Sequence, residues 1–292
     1  MNKVRKIYWI ETLRNYFELT KPRVTLLVVF TSGVGFYLAS NDIDGWLWMH
    51  TSFATALLGG GTAVLNQFLE RKPDGLMYRT RTRPLPSGRL TSCQAMVFGS
   101  ALTLIGALYL GIFTNSLALL LGCATSGLYL FVYTPLKTKT SLCTAIGAIP
   151  GAFPPLIGWA AAKGTLDLNA ILLFSILFAW QFPHFLAISW LYRDDYRRGG
   201  FAMVSLLDTD GKKTTTQIVG FSALLLILSV LPFVSGLTGV VYLGGALFLG
   251  TLFFWFGLKA ALRCSKLSTR HVLRASVAYL PLLLILMIID KA

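Results

Sequence analysis

Nine apolar stretches, at about 24–41, 46–69, 95–114, 116–136, 141–162, 168–192, 215–235, 237–258 and 274–290, leave this chain few choices of fold. Each approaches the roughly 20 residues with which a helix crosses a bilayer. The uncharged run from Thr216 to Leu258 is too long for one crossing, and Pro232, Gly236 and Gly239 mark where it divides. Composition agrees, since only 13% of the 292 residues are charged, against roughly 25% in soluble domains. The expectation is an all-α membrane protein of nine transmembrane helices, one polytopic domain over 1–292.

A net charge of +14 invites a nucleic-acid reading, but the positions of the charges exclude it. Numbering the connectors alternately puts 24 of the 26 Lys and Arg on one side and only Lys163 and Lys291 on the other. Positive charge so divided sets topology, and it places the N-terminus on the cytoplasmic (or matrix) side. Nothing resembles an Arg- and Ser-rich transit peptide, which favours a bacterial inner membrane over an organelle. The basic N-terminal segment lacks a convincing cleavage site, so no cleaved signal is expected. Residues 1–23 instead read as a cytoplasmic interfacial segment, with Val4, Ile7, Tyr8, Ile10, Leu13, Tyr16 and Phe17 on an amphipathic helix. Cys93, Cys123, Cys143 and Cys264 lack metal-binding spacing and are expected as free thiols.

Chemistry concentrates just after the second span. Asn66, Glu70 and Asp74 fall at i, i+4 and i+8, nearly one face of a helix, although Pro73 is expected to end regular helix before Asp74. Carboxylates so placed suit a hard divalent cation such as Mg²⁺. Arg79, Arg81 and Arg83 follow, and guanidiniums suit phosphate oxygens. A blander account pairs Glu70 and Asp74 with Arg71, Lys72 and Arg79, and assigns the arginines to topology alone. A second acidic group, Asp194 and Asp195, follows the sixth span among Arg193, Arg197 and Arg198. It is either a salt-bridged loop or a second Mg²⁺ site against the metal-bound diphosphate that Glu70, Asp74 and the three arginines together describe. His184 is an ionisable group inside a span, read either as a neutral imidazole bonded to a neighbouring helix or as a cavity residue. Tyr133-Thr134-Pro135-Leu136-Lys137 and the Gly- and Pro-rich run 147–159 predict close helix contact and broken helix geometry. Asp208-Thr209-Asp210-Gly211 is expected to be a solvated turn.

Residues 66–84 resemble the Asn-x-x-x-(Asp/Glu)-x-x-x-Asp-x-x-Met-x-Arg-Thr-x-x-Arg-Pro signature of the UbiA superfamily of intramembrane prenyltransferases. The matching positions are Asn66, Glu70, Asp74, Met77, Arg79, Thr80, Arg83 and Pro84. Leu19-Thr20-Lys21-Pro22-Arg23, the Tyr133–Lys137 block, Trp180–His184 and the Arg193–Tyr196 loop are similar to the branch that farnesylates haem. Glu70 stands where many relatives carry Asp, and Asp194-Asp195 is contracted relative to the spaced pair of quinone prenyltransferases.

The resemblance implies a UbiA-type bundle in which farnesyl diphosphate and protoheme IX meet, with haem as substrate and Mg²⁺ on the diphosphate. Glu70, Asp74, Asp194 and Asp195 would hold the metal. Asn66, Arg79 and Arg83 would act on the leaving diphosphate, and Arg23, Tyr133, Lys137, His184 and Arg193 would bind substrate. Phe68, Tyr133 or Phe182 would steady an allylic cation. A haem A synthase or a terminal oxidase under assembly is the implied partner, alongside membrane lipid. Two other readings are a prenyltransferase acting on an aromatic quinone precursor and, in a different class, a haem or lipid transporter.

Overall fold

The computed structural model describes residues 3–292, with side chains from Ile10 onward. Its regular elements, among the described residues, are helices: α1 Lys3–Leu19, α2 Pro22–Ala39, α3 Gly45–Leu69, α4 Arg71–Leu76, α5 Ser92–Phe113, α6 Ser116–Gly127 and α7 Thr134–Leu136, with a π-helical turn, Leu128–Tyr133, joining the last two. Then come α8 Cys143–Gly151, α9 Pro154–Lys163, α10 Leu168–Leu191, α11 Arg193–Arg198, α12 Lys212–Val234, α13 Val240–Arg263 and α14 Lys266–Ile289. Each α6–α7 and α8–α9 pair counts as a single span. Among the described residues eight spans are long and apolar enough to cross a membrane. The ninth expected span, α3, has 25 residues but is not among them. It carries His50, Thr51, Thr55, Thr62, Asn66 and Gln67, all buried against neighbouring helices. Its polarity is directed inward, which is how a polar span survives in a bilayer.

Local chemistry sets the helix ends. Asp44, Asn115 and Asp167 accept hydrogen bonds from the first turns of α3, α6 and α10, and Thr91 with Gln94 forms a capping box on α5. Asp208 departs from the solvated turn expected of it. It is buried, and its two oxygens accept the Gly211 and Thr214 N–H groups at 3.1 and 2.7 Å, capping α12. Between α12 and α13 the chain turns at Gly236 with φ +75°, within the break that Pro232 and the glycines predict.

Packing joins α2 to α3 and α9, α3 to α5, α10 to α12 and α14, and α12 to α13, while α14 returns to α2. The side chains turned outward are apolar, as Leu104, Ile105, Leu108 and Ile112 of α5 illustrate. That surface suits lipid and not water. This is a multi-pass integral membrane protein. In α1 the described apolar residues Ile10, Leu13 and Phe17 are exposed while Asn15 and Leu19 are buried. Val4, Ile7 and Tyr8 lie outside the described side chains.

Candidate active site

A cavity of about 470 Å³ lies among α2, α3, the α6–α7 span, α8 to α10 and Leu280 of α14. Most of its wall is apolar, and one set of charged groups breaks that pattern: Lys21, Glu70, Asp74, Arg79, Arg83 and Lys137. Four cations face two carboxylates there, an excess of two positive charges.

Proline positions the acidic pair. A proline ring clashes with the carbonyl four residues earlier, which for Pro73 is that of Leu69, and α3 ends at Leu69. The break therefore falls a turn before the expected place, at Glu70, and Asp74 rides on the short helix α4. Glu70 and Asp74 are 7% and 1% exposed, and both line the cavity. Glu70 Oε1 lies 2.6 Å from Lys137 Nζ, and Asp74 Oδ2 lies 2.7 Å from an Arg83 guanidinium nitrogen. Neither carboxylate pairs with Arg71, Lys72 or Arg79. Burial alone would lower the Lys137 pKa, but Glu70 and the Tyr133 and Tyr129 rings outweigh it and hold the ammonium well above its usual range. Its nitrogen sits 4.3 Å from the Tyr133 ring centroid.

The π turn has a comparable cause. Pro135 would clash with the carbonyl of Phe131 in a regular helix, and the wider turn relieves this. Thr134 is thereby brought to Asn66. Lys21 donates to Asn66 Oδ1 at 3.0 Å, Asn66 Nδ2 donates to Thr134 Oγ1 at 3.1 Å, and Thr134 donates to the Tyr129 carbonyl at 2.8 Å. This chain leaves Asn66 a single amide orientation. Lys21 holds φ 49°, a left-handed conformation that costs a side-chain-bearing residue about 1–2 kcal/mol and that clusters at functional sites. Burial, then the nearby Arg83, pushes its ammonium down to about 8.

The structure separates several expected site residues from this cluster. Arg23 is exposed and lines an outer groove with Arg14, Phe17, Glu18, Lys21 and Arg83, of which only Lys21 and Arg83 also line the cavity. Arg193 stacks over Trp190 at 4.7 Å, and Asp194 is exposed, 3.5 Å from Arg197. Asp195 is buried, but it faces the neighbouring loop. Its Oδ1 accepts the Tyr78 N–H at 2.9 Å and also contacts Arg198. Burial favours its neutral form, yet the Arg198 and Tyr78 hydrogen bonds outweigh that and lower its pKa. Neither Asp194 nor Asp195 lines the cavity. Arg79 does, reaching the Tyr196 hydroxyl at 3.4 Å. Phe68 lies against Arg71, and Phe182 stacks on Phe221 at 3.8 Å, so neither presents its ring to the cavity. Tyr133 lines the cavity, and so does His184, which is also bonded to a neighbouring helix at Ser276. Lys21 and Thr134 were not among the expected site residues, although the Lys-Pro-Arg and Tyr-Thr-Pro blocks flagged their neighbourhoods.

Asp195 thus ties α11 to the loop that follows α4, beside Arg79 and Tyr196 of the cavity wall. Asp195→Ala should expose residues 193–203 to limited proteolysis and slow turnover about tenfold, with half-saturating Mg²⁺ unchanged. A large shift in the Mg²⁺ requirement would instead make Asp195 a metal ligand.

Residues 27–287 match the UbiA prenyltransferase family, and the chain belongs to it. It is 44% identical to a protoheme IX farnesyltransferase of Solibacter usitatus over 96% of this chain and 99% of that protein. A protoheme IX farnesyltransferase of Koribacter versatilis is 43% identical, over 96% and 94%. The fold is shared with a digeranylgeranylglyceryl phosphate synthase structure at TM-score 0.80 and 20% identity, covering 96% of this chain and 98% of that one. A UbiA homologue of Archaeoglobus fulgidus, solved with DMAPP and Mg²⁺, aligns at TM-score 0.69 and 13% identity, over 94% and 99%. The chain is a prenyltransferase.

Proposed function

We propose that this chain transfers the farnesyl group of farnesyl diphosphate to a vinyl group of protoheme IX, with addition of water, giving haem O and diphosphate. One observation carries the reading. Buried Glu70 and Asp74 face a largely apolar cavity beside an excess of cationic groups, in a chain closely similar to protoheme IX farnesyltransferases over nearly its whole length.

The carboxylates fit Mg²⁺. They are hard oxygen donors, and each is already held by a cation that a diphosphate would draw toward itself. A UbiA homologue of this fold was solved with DMAPP and Mg²⁺, which supports a metal-bound prenyl diphosphate as the ligand. Bound there, the metal would supply charge neutralisation on the departing diphosphate. The protein's own groups do the remaining work. Arg79, Arg83, Lys137 and Lys21 would bind phosphate oxygens and stabilise the negative charge that grows as the carbon–oxygen bond breaks. Asn66, oriented by Lys21 and Thr134, would bond a further phosphate oxygen. The apolar wall would hold the isoprenoid chain and exclude water from the cation. The protein would lie in a bacterial inner membrane with the basic side, the N-terminus and the charged end of the cavity toward the cytoplasm. Its product would pass to a haem A synthase or to an oxidase under assembly.

The test is a Mg²⁺-dependent assay of the purified protein with both substrates, read by product mass. A farnesylated, hydrated haem that disappears with EDTA supports the reading. A prenylated aromatic, formed only when 4-hydroxybenzoate replaces haem, would overturn the acceptor.

Lys21 adds a pH dependence. Below about pH 8 its ammonium is charged and available to phosphate. Above that, binding must first recruit a proton, so affinity for the diphosphate should weaken by up to about tenfold per pH unit. Lys21→Arg should flatten that fall in a binding titration. An unchanged pH profile in the variant would remove Lys21 from phosphate binding.

A further inference from the structure

Among the described residues His184 is the one histidine that lines the cavity. Its ring stacks on Trp180, one turn earlier in α10, with centroids 4.8 Å apart and planes 20° from parallel. Trp180 in turn donates its indole N–H to the Ser276 carbonyl at 2.8 Å. His184 Nδ1 lies 2.8 Å from Ser276 Oγ. The same hydroxyl sits 2.7 Å from the Leu273 carbonyl, which can only accept. The serine proton is therefore committed to Leu273, and the proton shared with the imidazole must come from Nδ1. With no carboxylate paired to it, an imidazole in this largely apolar wall is neutral, so the bond fixes the tautomer and leaves a lone pair on Nε2.

Nε2 has no hydrogen-bond partner among the described residues, and no ion pair reaches the ring. The ring is half-buried, so it is not sealed away. A neutral imidazole, pinned through Nδ1–H and open at Nε2 beside apolar cavity wall, has the arrangement of a metal-ligating histidine with its supporting hydrogen bond already made. The cavity already contains the groups that handle the diphosphate, and none of them needs this nitrogen. A porphyrin iron is the metal that an imidazole in an apolar cavity suits.

We propose that Nε2 of His184 binds the iron of the haem substrate as an axial ligand and so sets where the porphyrin, and with it the reacting vinyl group, lies in the cavity. The lone pair forms one coordinate bond, Nδ1–H stays on Ser276, and no proton or electron is transferred. The inference rests on haem being the acceptor.

Its test needs no turnover. Purified full-length protein is titrated with ferric protoheme IX and, separately, with metal-free protoporphyrin IX, following the absorption and electron paramagnetic resonance spectra. The wild type should give an imidazole-ligated haem spectrum. His184→Ala should lose that signature, weaken haem binding at least about tenfold and leave metal-free porphyrin binding unchanged. Added imidazole should restore the ligated spectrum. Ser276→Ala should keep the ligand but lower the iron–histidine stretching frequency of the ferrous form, because the ring loses its supporting bond. Retained binding of farnesyl diphosphate reports that each variant is folded. Haem bound to His184→Ala with the wild-type spectrum would overturn the ligation and leave the acceptor standing. Equal loss of both porphyrins would make His184 a packing residue and overturn it too. If the wild type binds no haem at all, the acceptor assignment fails along with it.

Discussion

Asp74→Asn should lower turnover by roughly 10²–10³-fold or more, the range seen when a single group stabilising transition-state charge is lost, while the protein stays folded in the membrane. The asymmetry follows from what the substitution keeps. Asparagine preserves the shape of the side chain and an oxygen that can accept the Arg83 hydrogen bond. The bond from Thr80 Oγ1 goes to the Asp74 backbone carbonyl and is untouched. Only the negative charge disappears, and the charged end of the cavity goes from an excess of two positive charges to three. Surplus positive charge would hold diphosphate more tightly before and after reaction, but a Mg²⁺ ion held by Glu70 and Asp74, as proposed above, would lose half its anchor. The loss should fall on kcat more than on the apparent affinity for farnesyl diphosphate. Single-turnover rates by product mass, alongside thermal unfolding, separate the two effects. A folded variant within tenfold of wild type would remove Asp74 from the metal site.

Helical spacing marked Asn66, Glu70 and Asp74, and the alternation of charged connectors marked which ends of the spans lie together. Both signals are local, so both survive in a bare sequence. The pairing of Glu70 with Lys137 and of Asp74 with Arg83 was less accessible. It depends on α3, α4 and the α6–α7 span meeting at one end of the bundle, and nearer cations at Arg71 and Lys72 offered an easier reading. Pro73 did break the helix, one turn early, because its ring acts on the carbonyl behind it. Arg23 and Lys21 are both basic and two residues apart. Lys21 takes a left-handed backbone and reaches Asn66 while Arg23 stays exposed, and no side-chain pattern announces that. Asp194 and Asp195 read alike in the sequence, yet only Asp195 is buried, and its partners in the fold are Arg198 and the Tyr78 N–H, a backbone donor in a loop more than a hundred residues away. The sequence reads nine spans, whereas eight helices among the described residues are long and apolar enough to cross a membrane; α3 makes the difference, since a helix whose polar groups face inward looks less apolar than it is to lipid.

Gly158→Ala should prevent stable folding, and the reason is backbone geometry. α2 and α9 lie so close that a methyl group on Gly158 would stand 1.8 Å from the Ser32 carbonyl oxygen and 2.7 Å from its carbon. The contact is reciprocal, because a methyl on Gly35 would stand 2.1 Å from the Pro155 carbonyl oxygen. Neither obstacle is a side chain that can rotate aside, so the helices must separate. Overpacking an ordinary core costs about 1–3 kcal/mol, and a clash between two backbones exceeds that range. Small residues commonly let membrane helices meet in this way. Thr31 of α2 and Pro154 and Ile157 of α9 line the cavity, so separation would also move its wall. Gly220→Ala in α12 is the matched control. Nothing lies within 4 Å of its added methyl, and alanine in a helix interior gains roughly 0.5–1 kcal/mol over glycine. Folded yield and thermal unfolding in detergent should therefore move in opposite directions for the two variants. Equal behaviour would mean that α2 and α9 are not held at backbone contact, and the cavity wall they form would have to lie elsewhere.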